Sequence, residues 1–272
     1  MNETSATLDS NSDRTEASRR LGVMVCAIPV ISVVILLLTY LIIPDFYLAY
    51  VLELEAREKQ AVEIVTFVSA FLASIALLWT VWRLWRFELM NHVDVSYRGG
   101  AILVAVVSLA SLIFAGEEIS WGQTYFGGAI PDILVDGIGS RERNLHNSDL
   151  PIPVQSLGSV FVLIVFIGLP IAWQFRSPKG PLPMPQAWQP AIAEWPIVFC
   201  MAFAFVWKLV KQIYIAVQGQ DVAEQSAFYM QFIEQINEQK EMLIAVTFFI
   251  YSIYRIAWIR RSAQSIHGAQ RP

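Results

Sequence analysis

Six apolar stretches, each long enough to cross a bilayer, alternate with polar connections along this 272-residue chain. A helix that spans the hydrocarbon core needs roughly 20 apolar residues. The pattern therefore predicts an all-α fold, a polytopic membrane bundle of six transmembrane helices. The first to sixth predicted spans are residues 21–43, 61–82, 99–116, 154–175, 192–217 and 242–259, and the third can continue as helix through Gln123.

The two ends of the chain differ from these spans in composition. Residues 1–20 are rich in Ser, Thr, Asn and Asp and hold no apolar run, which is typical of a disordered tail. Residues 262–272 form a second short polar tail. The apolar run 21–43 exceeds the 7–15 residues of a signal peptide's core, so we expect it to be retained as a span.

The distribution of basic residues predicts the orientation of the bundle. The N-terminal tail, the second and fourth connections and the C-terminal segment from Arg255 onward carry twelve Lys and Arg, whereas the other connections carry five, among them Lys240. Cytoplasmic segments are enriched in Lys and Arg. We therefore expect a multi-pass inner-membrane protein with both termini in the cytoplasm.

Composition supports a membrane protein and excludes some other classes. The chain is 56% hydrophobic and 15% charged, against roughly 25% charged residues in soluble domains. The net charge is −4 and the basic residues are dispersed, which argues against nucleic-acid binding. The two cysteines lie in apolar runs without metal-ligand spacing, so they predict neither a disulfide framework nor a zinc site.

Charged residues inside the spans are predicted to meet at one depth. Glu117 lies 18 residues beyond Gly99, or roughly 27 Å along an outward-running helix. Lys208 lies 16 residues beyond Ile192, or roughly 24 Å along the outward-running fifth span. The charged residues near the outer edge of the hydrocarbon are then Glu63, Glu117, Glu118, Lys208 and Lys211. Intramembrane charges are costly, and they mark either structural ion pairs or a functional site.

The long connection after the third span holds further polar groups. His146 is flanked by asparagines, and the five Gly and Pro residues at 127–139 allow the connection to fold back toward the glutamates. We interpret Glu117, Glu118 and His146 as catalytic acid–base groups or as ligands of a divalent metal. The predicted substrate-binding residues are Lys208, Lys211, Trp121, Gln123 and Glu63. Alternatively, Trp121 belongs to an interfacial aromatic belt and His146 is a surface residue.

Residues 218–241 carry a helical apolar stripe before the sixth span. Phe228, Phe232, Ile233 and Ile236 recur at helical spacing. The stripe indicates an interfacial amphipathic helix or an outward extension of the sixth span. It also offers a docking surface for a membrane-protein partner.

Two motifs resemble known families. The combination of GEEISWGQ at 116–123 and NLHN at 144–147 resembles a pattern in bacterial multi-pass membrane proteins without an assigned activity. Glu117-Glu118 is also similar to the first motif, EExxxR, of the CAAX-protease-like (CPBP) intramembrane family. Gly122 stands where that motif has arginine, and the later histidine motifs of the family are absent.

These observations favour an enzyme that acts on a lipid or lipid-linked substrate at the extracytoplasmic leaflet, by hydrolysis or group transfer. Two alternatives stay open. A transporter or proton-coupled channel would use the glutamates and lysines as a relay, although no internal repeat is present. A non-catalytic subunit of a membrane complex would use residues 218–241 for docking.

Overall fold

The computed structural model describes residues 3–50, 61–91, 97–118, 154–175, 186–220, 222, 226–233 and 235–269. The residues described are helical apart from short turns, and none of them lies in a strand. The all-α fold and its six apolar helices, each long enough to cross a membrane, are therefore confirmed. The six spans are Arg20–Ile42, Ala61–Arg86, Arg98–Glu118, Leu157–Gln174, Trp195–Gln218 and Tyr229–Ser262.

The helices that carry the first, second and sixth spans continue past one end of the span, whereas the third and fifth helices coincide with their spans. The first runs over Glu3–Ile42, the second over Ala61–Asn91 and the third over Arg98–Glu118. The fifth runs over Trp195–Gln218 and the sixth over Ile236–Ala269. Two short elements were not predicted from the sequence: a helix at Pro44–Tyr50 and a 3-10 helix at Gln186–Ala191.

The two predicted tails continue the adjacent helices where the structure describes them, and the predicted division of the chain into tails and a membrane domain stays a prediction. The first helix begins at Glu3, and the last helix continues to Ala269. Extending an existing helix adds one hydrogen bond per residue without a new nucleation step. Polar residues of modest helix propensity therefore continue the helix from the adjacent apolar span.

The second, third and sixth spans form the centre of the bundle. The second span packs extensively against both of the others. Small side chains such as Ala70, Ala73 and Ser108 are buried at these contacts, where they let the helix backbones approach closely. The Ser108 hydroxyl donates a hydrogen bond to the Ser74 carbonyl of the second span at 2.8 Å. Such interhelical bonds contribute about 0.6 kcal/mol each in membranes.

The first span packs on the outside of this centre, against the fifth span. The thiol of Cys200 donates to the carbonyl of Val25 at 3.4 Å. A Cβ atom at Gly22 would lie 3.3 Å from the ring of Pro196, so glycine allows the two helices to approach there. The two cysteines are free thiols in this packing.

A π-helical turn interrupts the fourth span. The helix Val154–Leu163 passes into a π-helix at Ile164–Gly168 and then into the helix Leu169–Gln174. Pro170 follows this turn. Proline lacks an N–H and its ring clashes with the carbonyl four residues earlier, so the wider π-turn accommodates it.

Residues 229–233 and 236–241 extend the sixth span at its N-terminal end rather than lying apart as an interfacial helix. Gly219 ends the fifth span with a positive φ of 79°, and a π-helical turn at Tyr229–Ile233 precedes the last helix. In the predicted stripe, Phe232, Ile233 and Ile236 are buried inside the protein. The ring of Phe232 lies 5.5 Å from that of Tyr40 in the first helix. The stripe therefore packs within the chain, and its docking role stays a prediction.

Candidate functional site

Three spans bring acidic residues to one end of the bundle. Glu63 lies in the first turn of the second helix, Glu118 ends the third helix, and Glu238 lies in the first turn of the sixth helix. We call this the outer end, following the orientation expected from the basic residues. The opposite, inner end is marked by Arg86, at the end of the second span, and by Arg98.

The carboxylates of Glu118, Glu238 and Glu241 lie close together. One oxygen from each of the three is within 4.8 Å of the other two. Glu118 also interacts electrostatically with Glu63 and Glu117. These five residues are called the acid cluster from here on. Its members are half-buried except Glu117, which is 9% exposed, so the cluster faces a partly dry environment.

The sixth helix supplies the part of the cluster that sequence reasoning missed. Glu238 and Glu241 are three residues apart and share one helix face. The predicted sixth span began at Met242, because the hydropathy of the preceding residues is low. A helix prediction that continued back to Ile236 would have placed both glutamates at the depth of Glu118. The feature of the sequence that could have indicated these residues was the three-residue spacing of Glu238 and Glu241, since their hydropathy gave no indication of a span.

Two lysines face the acid cluster. The Nζ atom of Lys240 lies 3.4 Å from Oε1 of Glu241, and Lys240 is only 5% exposed. Sequence reasoning had counted Lys240 as a loop residue. Lys208 of the fifth span interacts electrostatically with Lys240 and Glu241, and also with Lys211. The structure therefore places Lys208 beside the acids.

Lys211 lies farther along the fifth span and has a different neighbour. Its Nζ atom sits 5.7 Å from the centre of the Tyr229 ring, a distance typical of a cation–π contact. Lys211 therefore lies at the margin of the site, toward the turn that precedes the sixth helix.

Buried aromatic and amide groups meet at Gln239, the residue after Glu238 in the sixth helix. The indole Nε1 of Trp207 donates to Oε1 of Gln239 at 3.0 Å. Tyr47, in the short helix outside the spans, is fully buried and close enough to Gln239 to interact with it. Its hydroxyl and the Gln239 amide nitrogen nevertheless make no hydrogen bond of regular geometry. Burial raises the pKa of the Tyr47 phenol, so Tyr47 stays neutral at any physiological pH.

The donor set of the acid cluster suits a hard divalent cation. Carboxylate oxygens are preferred by Mg²⁺, Ca²⁺ and Mn²⁺, whereas zinc and copper favour nitrogen and sulfur ligands. Glu118, Glu238 and Glu241 can each contribute one oxygen to a common ion. The carboxylates also outnumber the two neighbouring lysines, so a bound cation or protons would relieve the repulsion between them.

Three predicted site residues lie outside the described part of the chain. They are His146, Trp121 and Gln123, all within residues 119–153. Their contact with the acid cluster, and the fold-back of that connection, stay predictions.

A separate buried ion pair lies at the inner end. Arg255 of the sixth helix, 1% exposed, donates to the carboxylate of Glu194 and to the carbonyl of Pro190, the latter at 2.9 Å. The hydroxyl of Tyr251 donates to the carbonyl of Ala191 at 2.8 Å. These bonds attach the 3-10 helix to the sixth span. Sequence reasoning had counted Arg255 as a residue of the cytoplasmic terminus.

Comparison of the chain with protein-family models, with curated proteins and with solved structures gives no match.

Proposed function

We propose that this protein is a membrane enzyme that uses a divalent cation at the acid cluster to act on a lipid or lipid-linked substrate in the outer leaflet. The reaction would be hydrolysis or group transfer. The observation that carries the proposal is the approach of Glu118, Glu238 and Glu241 to within 4.8 Å of one another at the end of three membrane helices. The headgroups of lipids lie at this depth of a bilayer.

The proposed roles follow from chemistry and position. Glu118, Glu238 and Glu241 would hold the cation, which would polarise an ester or phosphoryl oxygen and activate a water molecule. Glu117, buried next to these ligands, would transfer a proton to or from the reacting group. His146 would assist if the connection folds over the cluster, as the sequence predicts.

The lysines would bind the charged part of the substrate. Lys208 lies beside the acid cluster and Lys211 at its margin, both on the fifth span and both half-buried. A lysine ammonium binds phosphate as a point charge without demanding a fixed geometry. An anionic headgroup held between these lysines would place its ester bonds near the proposed cation.

The hydroxyls below the cluster give less support to the alternative of ion transport. Thr66, Ser111 and Thr247 are buried in the second, third and sixth spans. Each donates to the carbonyl four residues earlier in its own helix, at 2.7–2.8 Å. A hydroxyl whose proton is bonded to its own helix does not pass that proton on, so these three groups form no proton relay below the cluster.

A lipid analysis of strains tests the proposal. We expect a strain without the protein to accumulate one lipid species, and the wild-type chain to remove it. Glu118→Gln and Glu117→Gln should fail to remove it at normal expression. Asp45→Asn is the matched control, because Asp45 is an exposed acid at the same end of the bundle, outside the acid cluster. Full complementation by both cluster variants would contradict the proposal.

A further inference from the structure

The inner end of the second span has two distinct faces. One face packs inside the protein and carries Leu77, Thr80, Val81 and Leu84, each at most 6% exposed. The opposite face is directed away from the bundle. Its tryptophans are Trp79, Trp82 and Trp85, which are 36%, 51% and 56% exposed.

Two arginines lie over the rings of tryptophans on the outward face. The guanidinium carbon of Arg83 lies 5.5 Å from the centre of the Trp79 ring. That of Arg86 lies 5.4 Å from the Trp82 ring. These residues occupy positions i, i+3, i+4 and i+7 of one helix, so they line a single strip of surface. We call Trp79, Trp82, Arg83 and Arg86 the tryptophan–arginine face.

We infer that the tryptophan–arginine face binds the headgroup of an anionic phospholipid in the inner leaflet. A guanidinium held over an indole by a cation–π contact can still present N–H groups to an anion, and their fork matches two oxygens of a phosphate. Lysine would offer no such plane. The exposed indoles beside it match the apolar region just below a headgroup.

The position of the face supports this occupant. Trp79 lies 18 residues beyond Ala61, so roughly 27 Å of helix separates them, and Arg86 ends the span. The arginines therefore lie at headgroup depth while the indoles reach the hydrocarbon boundary. The cytoplasmic leaflet is the one rich in anionic lipids. Among the side chains that the structure describes, Glu194 is the acidic residue at the inner end. Its carboxylate forms an ion pair with Arg255 and not with an arginine of the tryptophan–arginine face.

The inference does not depend on the proposed enzymatic activity. The face lies at the opposite end of the second span from Glu63. Loss of lipid binding here would leave the acid cluster unchanged, and removal of the cluster would leave the face unchanged.

A lipid titration of the full-length protein tests the inference. The purified protein in dodecyl maltoside is titrated with fluorescent phosphatidylglycerol, and fluorescence polarisation reports binding. We expect Arg83→Gln with Arg86→Gln to raise the apparent Kd about thirtyfold, since each of the two arginines near an anionic lipid contributes on the order of 1 kcal/mol. The matched control is Arg260→Gln with Arg261→Gln, two exposed arginines at the same end of the sixth helix. The control should change Kd by less than about twofold.

Two further measurements separate this site from general charge attraction. Trp79→Leu with Trp82→Leu keeps both arginines, and it should also weaken phosphatidylglycerol binding, because the guanidinium planes lose their support. Fluorescent phosphatidylcholine and free inorganic phosphate should bind the wild-type protein far more weakly than phosphatidylglycerol. Equal weakening by both arginine pairs would overturn the inference. Unchanged phosphatidylglycerol binding by the double tryptophan variant would also overturn the inference, provided that this variant and the double arginine variant are monodisperse in gel filtration.

Discussion

Glu118 of the third span and Glu241 of the sixth place carboxylate oxygens within 4.8 Å of each other, together with Glu238. The two spans meet through the second span, which packs against both of them. Carboxylates this close repel one another unless a cation or protons lie between them. The packing of the three central helices thus creates a site that favours a positively charged ligand.

Among the residues that the structure describes, Lys240 forms an ion pair with Glu241 of this site, so its removal should make the protein depend more on metal. Lys240→Met removes the ammonium that lies 3.4 Å from Glu241. We expect the variant to be less heat-stable than the wild-type protein in EDTA, because the carboxylates lose a neutralising partner. Saturating Mn²⁺ should remove most of the difference.

Thermal aggregation in detergent, with and without Mn²⁺, measures this effect. Lys211→Met is the control, since Lys211 contacts the ring of Tyr229 and lies at the margin of the site. Equal stability of Lys240→Met and the wild type in EDTA would argue against repulsion between the carboxylates of the acid cluster.

The ion pair at the inner end predicts an unequal effect of its two partners. Glu194→Ala leaves the guanidinium of Arg255, which is 1% exposed and cannot lose its proton, without a counter-charge. We expect a cost of about 3 kcal/mol, typical of breaking a buried pair. Arg255→Met should cost less, because the side chain of Glu194 is 32% exposed and its carboxylate reaches water.

The double variant decides between this account and simple additivity. Glu194→Ala with Arg255→Met should be closer in stability to Arg255→Met than to Glu194→Ala, as measured by unfolding in increasing sodium dodecyl sulfate. A double variant less stable than either single one would show that the pair is not coupled as described.

The sequence predicted the spans well because their length and polarity are fixed by the bilayer. The depth of each charged residue in the bilayer could be calculated from the constant rise of a helix. The calculation predicted Glu63, Glu117 and Lys208 at one end of the bundle, and the structure places them there. Hydropathy located the apolar interior of each span and not the ends of its helix. Glu238, Lys240 and Glu241 lie just beyond that interior and were therefore treated as part of a connection.

At the inner end, the sequence did not predict the burial of a charged residue. Counting charges treats every arginine near a span as a loop residue. Arg255 instead turns into the protein, because Glu194 and the carbonyl of Pro190 satisfy it there. Such a partner comes from a distant segment, and one sequence carries no signal that joins the two.

The contact between the first and fifth spans predicts a crosslink between the native cysteines. The thiol of Cys200 bonds the carbonyl of Val25, the neighbour of Cys26. Because Cys200 is only 1% exposed, a short and membrane-permeable bifunctional maleimide should link it to Cys26 slowly, when local opening exposes the thiol. A protease site inserted in residues 176–185 would then release two fragments that stay joined on a denaturing gel. Separation of the fragments after both thiols have reacted would contradict this helix pairing.

The predicted orientation is tested by labelling single cysteines in a variant with Cys26→Ala and Cys200→Ala. A cysteine at Asn147, in the long connection after the third span, should react with an impermeant maleimide in intact cells. A cysteine at Arg261, exposed at the inner end, should react only after permeabilisation. The reverse pattern would place the acid cluster in the cytoplasm and reject the proposed site of action.

Binding of Mn²⁺ to the purified protein tests the central claim, that the third and sixth spans together form a cation site. Electron paramagnetic resonance of free Mn²⁺ measures the affinity directly. We predict saturable binding to the wild-type protein, weakened about tenfold or more in Glu118→Gln and in Glu241→Gln, because each variant removes a charged ligand. Asp45→Asn should bind as the wild type does. Absence of saturable binding, or equal affinity in Glu118→Gln and the wild type, would contradict the account.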